Sequence, residues 1–141
     1  MKLVSILIPV YNAEGFVAEA IQSALDQTWP AKEIIAVDDG STDRSLEILK
    51  SFGLRIRVIE QENRGASAAR NRALSEAQGE FIQYLDADDF LAADKIEIQM
   101  NRLLAESPGR IASSAWGRFY DLPQNTVFTT EPEGQIGRAH V

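Results

Sequence analysis

Short runs of β-branched and aliphatic residues alternate with helical patterns over most of this chain, and this alternation constrains the fold more than any other feature. The apolar runs predict strands at residues 3–10, 33–37, 56–59 and 81–85. Apolar residues at helical spacing predict helices at residues 16–25, 46–52, 65–77 and 96–104. A chain of this kind forms a mostly parallel sheet with helices on both faces, joined by right-handed crossovers. The predicted class is therefore α/β and Rossmann-like.

Composition excludes several classes of function. The 141 residues suit one domain or part of one. With no cysteine and a single histidine, His140, the chain has no disulfides, thiolate zinc sites or histidine-based triads. A net charge of −7 does not suit a nucleic-acid partner. No apolar run approaches the ~20 residues of a transmembrane segment, and we expect a cytoplasmic protein, either free or peripheral at the inner membrane face.

The acidic residues are concentrated in two clusters that follow predicted strands, at residues 38–43 and 86–89. Because the carboxyl ends of parallel strands meet at one edge of a sheet, the two clusters converge if their strands are neighbours. Asp86, Asp88 and Asp89 place three carboxylates within four residues, where like charges destabilise one another unless a cation is present. Oxygen ligands alone suit Mg²⁺ or Mn²⁺. The alternative is an acidic loop that caps the following helix.

Other residues near the predicted strand ends are candidates for binding a nucleotide. Tyr11 either stacks on a base or packs at the sheet edge, and Asn12 is a candidate N-cap for the first helix. Asp39 precedes a turn glycine, where a carboxylate can accept a hydrogen bond from a base N–H or a ribose hydroxyl. Arg70 follows Gly65 in the third predicted helix, and it either points toward a diphosphate or a base or is a solvated surface arginine.

Four sequence segments form a pattern that is more specific than any one of them. They are residues 4–12 (VSILIPVYN), 35–43 (IAVDDGSTD), 63–71 (NRGASAARN) and 84–89 (YLDADD). Together, in this order, they resemble the N-terminal, donor-binding portion of the family 2 glycosyltransferases of the GT-A fold. The resemblance implies metal-dependent transfer, with inversion, of a sugar from a UDP-, GDP- or dTDP-linked donor. The acceptor would be a hydroxyl of a glycan or lipid-linked molecule, in cell wall or polysaccharide biosynthesis.

The resemblance also implies roles for individual residues. It assigns nucleotide-sugar binding to Pro9, Tyr11, Asn12, Asp38, Asp39, Arg70, Asp86 and Ala87, and metal binding to Asp88. Pro9, Tyr11 and Asp39 would contact the base and the ribose. Arg70 would lie near the nucleotide and Asp86 near the ribose or the donor sugar. Sheets of the family have the strand order 3-2-1-4, which would bring these residues together.

The end of the chain is expected to depart from the family pattern. We expect residues 1–130 to form a partial, C-terminally truncated GT-A domain that binds the nucleotide sugar, with short strands within 111–120 and 126–130. Residues 131–141 show no periodicity and are expected to form an irregular tail. The last six residues, IGRAHV, read as one frame of a common sequencing-adapter oligonucleotide and are expected to be non-native. The resemblance implies a general base, Asp or Glu, in an acceptor-binding half, which we expect beyond Val141, so the catalytic residue is unknown.

Two other functions are alternatives for an acidic α/β site. A sugar-phosphate nucleotidyltransferase would have a glycine-rich phosphate loop after the first strand, where this chain has PVYN at residues 9–12. A non-catalytic nucleotide- or metal-binding module of the receiver type would have its paired acids after the first strand. In this chain the paired acids follow the second and fourth predicted strands.

Overall fold

The computed structural model describes residues 1–106, 110–112, 117–118, 127–128 and 136–138. These residues belong to two compact units, Met1–Ala93 and Asp94–Val141. The partial domain that the sequence predicts over residues 1–130 stays a prediction. All nine predicted site residues lie in the first unit.

The first unit is built around a four-stranded sheet in which every strand is parallel to its neighbours. The strands are β1 (Val4–Val10), β2 (Lys32–Asp39), β3 (Arg57–Gln61) and β4 (Phe81–Tyr84). Their order is β3-β2-β1-β4, which confirms the predicted parallel sheet and its order. Ile6, Leu7 and Ile8 of β1 are fully buried, so this central strand is covered on both of its faces.

Three helices of the first unit cover the sheet: α1 (Val17–Leu25), α2 (Ser45–Ser51) and α3 (Ala66–Glu76). Ala69 and Ala73 of α3 lie in one core cluster with Leu7 of β1, because their small side chains let the helix approach the strands closely. Alternate residues of a strand point to opposite faces, so Ile6 lies on the other face of the sheet. The helices α1 and α2, which contact β2, cover that face. The prediction of helices on both faces is confirmed.

The strand β2 extends two residues beyond its predicted end at Val37. Asp38 and Asp39 pair with the last two residues of β3. This pairing partner is distant in the sequence, so the local pattern did not reveal it. As a result, Asp38 and Asp39 belong to the sheet and are only 3% and 2% exposed, although the sequence places them in a loop.

Asn12 does not cap the first helix, and that prediction is wrong. The helix α1 begins at Val17, and its N-cap residue is Phe16. Asn12 has a φ of 46°, a left-handed conformation that asparagine tolerates better than most residues. Its side-chain Oδ1 accepts a hydrogen bond from the backbone N–H of Thr42 at 2.8 Å. Asn12 therefore joins the loop after β1 to the loop after β2.

In the second unit, the described residues form α4 (Lys95–Ala105) and four short strands. The strand β5 (Arg110–Ala112) pairs with β8 (Ile136–Arg138), and β6 (Gly117–Arg118) pairs with β7 (Val127–Phe128), both antiparallel. The strand β8 lies within residues 131–141, for which the sequence predicts an irregular tail. A three-residue strand with a distant partner leaves no periodicity in the sequence. Among the described residues, every helix is too short or too polar to cross a membrane.

Gly79 lies against β1 where no side chain fits, so Gly79→Ala is expected to destabilise the fold. A Cβ at this position would lie 2.5 Å from Ser5 Oγ and 2.8 Å from the carbonyl oxygen of Leu3. Ser5 is fully buried and its Oγ accepts the Gly79 N–H at 2.8 Å, so neither group can move freely. Such overpacking costs about 1–3 kcal/mol.

Urea denaturation measures this free energy, with Gly15→Ala as the matched control. A Cβ on Gly15 would have no atom within 4 Å. Equal unfolding free energies for the two variants would show that the sheet accommodates a methyl group at residue 79.

Candidate functional site

A cavity of about 540 Å³ lies at the carboxyl ends of the central strands of the sheet. The strand order explains its position. Because β1 lies between β2 and β4, the residues that follow these three strands meet at one edge of the sheet, beside the first turn of α3. This is the convergence that the sequence predicts for the two acidic clusters.

Eight of the nine predicted site residues line this cavity: Pro9, Tyr11, Asn12, Asp39, Arg70, Asp86, Ala87 and Asp88. The structure places Asp38 elsewhere, because neighbouring strand residues face opposite sides of the sheet and Asp39 is the one that faces α3. The Oδ2 of Asp38 accepts a hydrogen bond from Ser41 N at 3.1 Å. Its buried Oδ1 has no hydrogen-bond partner among the described residues.

Several further residues line the cavity that were not predicted from the sequence: Val10, Ala13, Phe16, Asn63, Gly65, Ala66 and Ala69. The sequence places Phe16 on the apolar face of α1, but it is the N-cap residue of that helix and is 60% exposed. Tyr11 is 50% exposed, so the cavity has two accessible aromatic rings. The sequence predicts a helix that begins at residue 16, so it carries no signal that Phe16 precedes the helix and lies beside the cavity.

The Asp39 carboxylate accepts three hydrogen bonds from other groups of the protein. Its Oδ1 accepts hydrogen bonds from Gln61 Nε2 and Arg64 N, both at 2.8 Å, and its Oδ2 accepts one from Gly65 N at 2.9 Å. Burial raises the pKa of Asp39, but the hydrogen bonds from Gln61, Arg64 and Gly65 outweigh it and leave the pKa below its ordinary value. Asp39 thus fixes the loop between β3 and α3, which supplies Asn63 and Gly65 to the cavity.

A second set of hydrogen bonds fixes the loop after β1. The consecutive N–H groups of Asn12, Ala13 and Glu14 donate to side-chain oxygens of Ser41, Ser45 and Asp43, at 3.0, 2.8 and 3.1 Å. In return, Glu14 Oε2 accepts a hydrogen bond from Arg44 N at 3.0 Å. The cavity wall formed by residues 11–13 is therefore attached to the loop after β2.

Asp86, Asp88 and Asp89 form an acidic cluster after β4. Each offers one carboxylate oxygen, and these oxygens all lie within 4.8 Å of one another. Burial raises the pKa of Asp89, and the negative charges of Asp88 and Asp86 raise it further. Three oxygen donors at this separation fit a hard divalent cation such as Mg²⁺ or Mn²⁺.

Arg70 reaches this cluster from α3. Its Nη2 donates to Asp86 Oδ1 at 2.9 Å, which links the helix to the residues after β4. The cavity therefore has two exposed aromatic rings, an N-terminal turn of a helix, one guanidinium and two carboxylates of the acidic cluster. Such a set suits a ligand with a flat ring at one end and phosphate groups at the other.

Comparison with known proteins gives one consistent family. A family model described as Glycosyl transferase family 2 matches residues 5–135. The glycosyltransferase EpsJ of Bacillus subtilis is 40% identical over 152 aligned positions, which cover 99% of this chain and 44% of EpsJ. The chain therefore spans less than half of the length of that relative.

Solved structures give the same result. TarS of S. aureus in complex with UDP-GlcNAc matches with a TM-score of 0.74 and 26% identity, over 86% of this chain and 37% of TarS. The mannosyltransferase PcManGT of Pyrobaculum calidifontis, in complex with GDP-Man and Mn²⁺, matches with a TM-score of 0.72 and 28% identity. That match covers 83% of this chain and 36% of PcManGT.

Proposed function

The chain belongs to glycosyl transferase family 2, and from that premise we propose that its cavity binds a nucleotide-diphosphate sugar together with a divalent cation. The proposed reaction is transfer of the sugar to an acceptor hydroxyl with inversion at the anomeric carbon. The observation that carries the proposal is one cavity lined by accessible aromatic rings, the first turn of α3, Arg70 and two members of the acidic cluster.

The similar structures support the choice of ligand. TarS is in complex with UDP-GlcNAc, and PcManGT is in complex with GDP-Man and Mn²⁺. A UDP-, GDP- or dTDP-linked sugar is accordingly the proposed donor, and a glycan or lipid-linked hydroxyl the proposed acceptor. The predicted location, in the cytoplasm or at the inner membrane face, stays a prediction.

The proposed roles of the lining residues follow from their positions. Pro9 and Tyr11, at the end of β1, would contact the base, since an exposed ring provides a stacking surface. Asp39 has three of its approximately four acceptor positions occupied. One position is left for a base N–H or a ribose hydroxyl, so most of its effect on binding would pass through the loop it fixes. Asn12 and Ala87 complete the wall.

The acidic cluster is the proposed cation site, with Asp88 as the principal ligand. A divalent cation bound there would supply Lewis-acid stabilisation of the departing nucleoside diphosphate. Arg70, beside the cluster, would form an ion pair with the diphosphate, and Asp86 would contact the ribose or the sugar. Inversion requires one in-line attack by the acceptor hydroxyl, assisted by a carboxylate base in the acceptor-binding part of the enzyme.

Thermal unfolding in the presence of nucleoside diphosphates tests this proposal. UDP, GDP and dTDP, with ADP for comparison, are each added with Mn²⁺ or with EDTA. At least one of UDP, GDP and dTDP is expected to stabilise the chain by about 2.7 kcal/mol at a concentration 100-fold above its Kd, and only with Mn²⁺. No stabilisation by any nucleotide would contradict the proposal. Stabilisation by Mg²⁺ with beryllofluoride would favour the receiver-type alternative instead.

A further inference from the structure

Among the described residues that line the cavity, Arg70 is the only basic one. It lies in the second turn of α3, and its guanidinium bonds Asp86 across the cavity wall at 2.9 Å. The side chains of Arg70 and Asp86 are 38% and 50% exposed, so a ligand in the cavity can reach both.

Asp86 belongs to two arrangements at once. Its Oδ1 accepts the hydrogen bond from Arg70, and its carboxylate is one of the three whose oxygens lie within 4.8 Å of one another. The guanidinium of Arg70 therefore bonds one of three clustered carboxylates, and the cluster keeps an excess of negative charge. The raised pKa of Asp89, caused by burial and by the charges of Asp88 and Asp86, agrees with this excess.

We propose that Arg70 is the internal counter-cation of the acidic cluster, and that it exchanges Asp86 for the diphosphate of the ligand when a nucleotide binds. The inference rests on the proposed function and adds a coupling between its two ligands. Without nucleotide, Arg70 holds one carboxylate and repels a divalent cation. With nucleotide, Arg70 bonds phosphate oxygens, and the carboxylate of Asp86 is released from the guanidinium.

This exchange makes the two binding events support each other. A nucleotide that removes Arg70 from Asp86 raises the affinity for the cation, and by linkage the cation raises the affinity for the nucleotide by the same factor. The size of this coupling is set by the repulsion between the Arg70 guanidinium and a divalent cation a few ångströms away near the protein surface. Removing the guanidinium is expected to tighten cation binding without nucleotide by about three- to tenfold.

The test compares three variants with the unmodified chain by titration with Mn²⁺, followed by electron paramagnetic resonance of the free ion. Arg70→Gln removes the charge, and Arg70→Lys keeps it. Arg72→Gln is the matched control, because Arg72 lies on the same helix, pairs with Glu76 and does not line the cavity. Each titration is done without nucleotide and with UDP or GDP, and thermal unfolding checks that each variant is folded.

Arg70→Gln is expected to bind Mn²⁺ alone more tightly than the unmodified chain, and to lose most of the gain that nucleotide gives. Arg72→Gln is expected to bind Mn²⁺ alone as the unmodified chain does, within about twofold. Arg70→Lys keeps the positive charge on a more compact group, and it is expected to tighten Mn²⁺ binding less than Arg70→Gln does. Mn²⁺ affinity of Arg70→Gln equal to or below that of Arg72→Gln would overturn the inference and leave the proposed function standing. No Mn²⁺ binding by the unmodified chain, with or without nucleotide, would overturn both.

Discussion

Asp88→Asn is expected to remove the dependence of nucleotide binding on Mn²⁺. Asp88 is the member of the acidic cluster that both lines the cavity and is free of the bond to Arg70. An amide oxygen is a weaker ligand for a hard cation than a carboxylate oxygen. Changes even to outer partners of a metal site cost about 10- to 100-fold in metal affinity, so the loss of a direct ligand is expected to cost at least as much.

Isothermal titration calorimetry with UDP and GDP, in Mn²⁺ and in EDTA, measures this effect. Glu19→Gln is the matched control, because it removes one negative charge from an exposed position of α1 outside the cavity lining. Unfolding of Asp88→Asn is expected at the same temperature or slightly above, since the variant relieves repulsion within the cluster. Nucleotide binding that Mn²⁺ strengthens equally in Asp88→Asn and in the unmodified chain would show that Asp88 is not the principal ligand.

Asp39→Asn is expected to weaken both the fold and nucleotide binding. The amide NH₂ cannot accept a hydrogen bond, so at least one N–H of Gln61, Arg64 or Gly65 is left facing another donor. A hydrogen bond to a charged group contributes about 1.5–3 kcal/mol, and we expect a loss of unfolding free energy of that size. Displacement of the loop that carries Asn63 is expected to lower nucleotide affinity about 10- to 100-fold.

The pH dependence of stability gives this prediction a second measurement. The folded pKa of Asp39 lies below its ordinary value of 3.8. The stability that its carboxylate contributes is therefore fully present above that ordinary value, and it is lost as the pH falls through the lower folded pKa. The difference in unfolding free energy between the unmodified chain and Asp39→Asn is accordingly expected to be largest at neutral pH and to shrink in acid.

Asp38→Asn is the control for Asp39→Asn, since Asp38 is its buried neighbour on the opposite face of the sheet. It accepts one hydrogen bond, from Ser41 N, and it is not among the lining residues. Nucleotide affinity is expected to be unchanged in Asp38→Asn. A loss as large as that in Asp39→Asn would mean that either change damages the sheet edge, and that Asp39 has no special relation to the cavity.

The sequence was informative wherever local spacing decides structure. The run of apolar residues in β1 and the small residues of α3 predict a buried parallel strand and a helix packed closely on it, and both are present. The convergence of Asp39 with the residues after β4 also followed, because parallel strands end at a common edge. These features depend on residue type and periodicity, which are local properties.

Contacts between distant segments could not be predicted in the same way. The pairing of β2 with β3 draws Asp38 and Asp39 into the sheet, and the alternation of faces then separates their roles. Asn12 satisfies the criteria for a cap, yet its side chain binds Thr42, thirty residues away in the sequence. A polar residue of this kind has several local options, and the tertiary partner decides between them.

An NMR titration of the ¹⁵N-labelled chain with UDP or GDP, in Mg²⁺ and in EDTA, tests the central claim most directly, because it locates the ligand. The account predicts changes in the amide resonances of Tyr11, Gly65, Arg70 and the acidic cluster that require Mg²⁺. Changes confined to residues outside the cavity, or changes that are identical in EDTA, would contradict it.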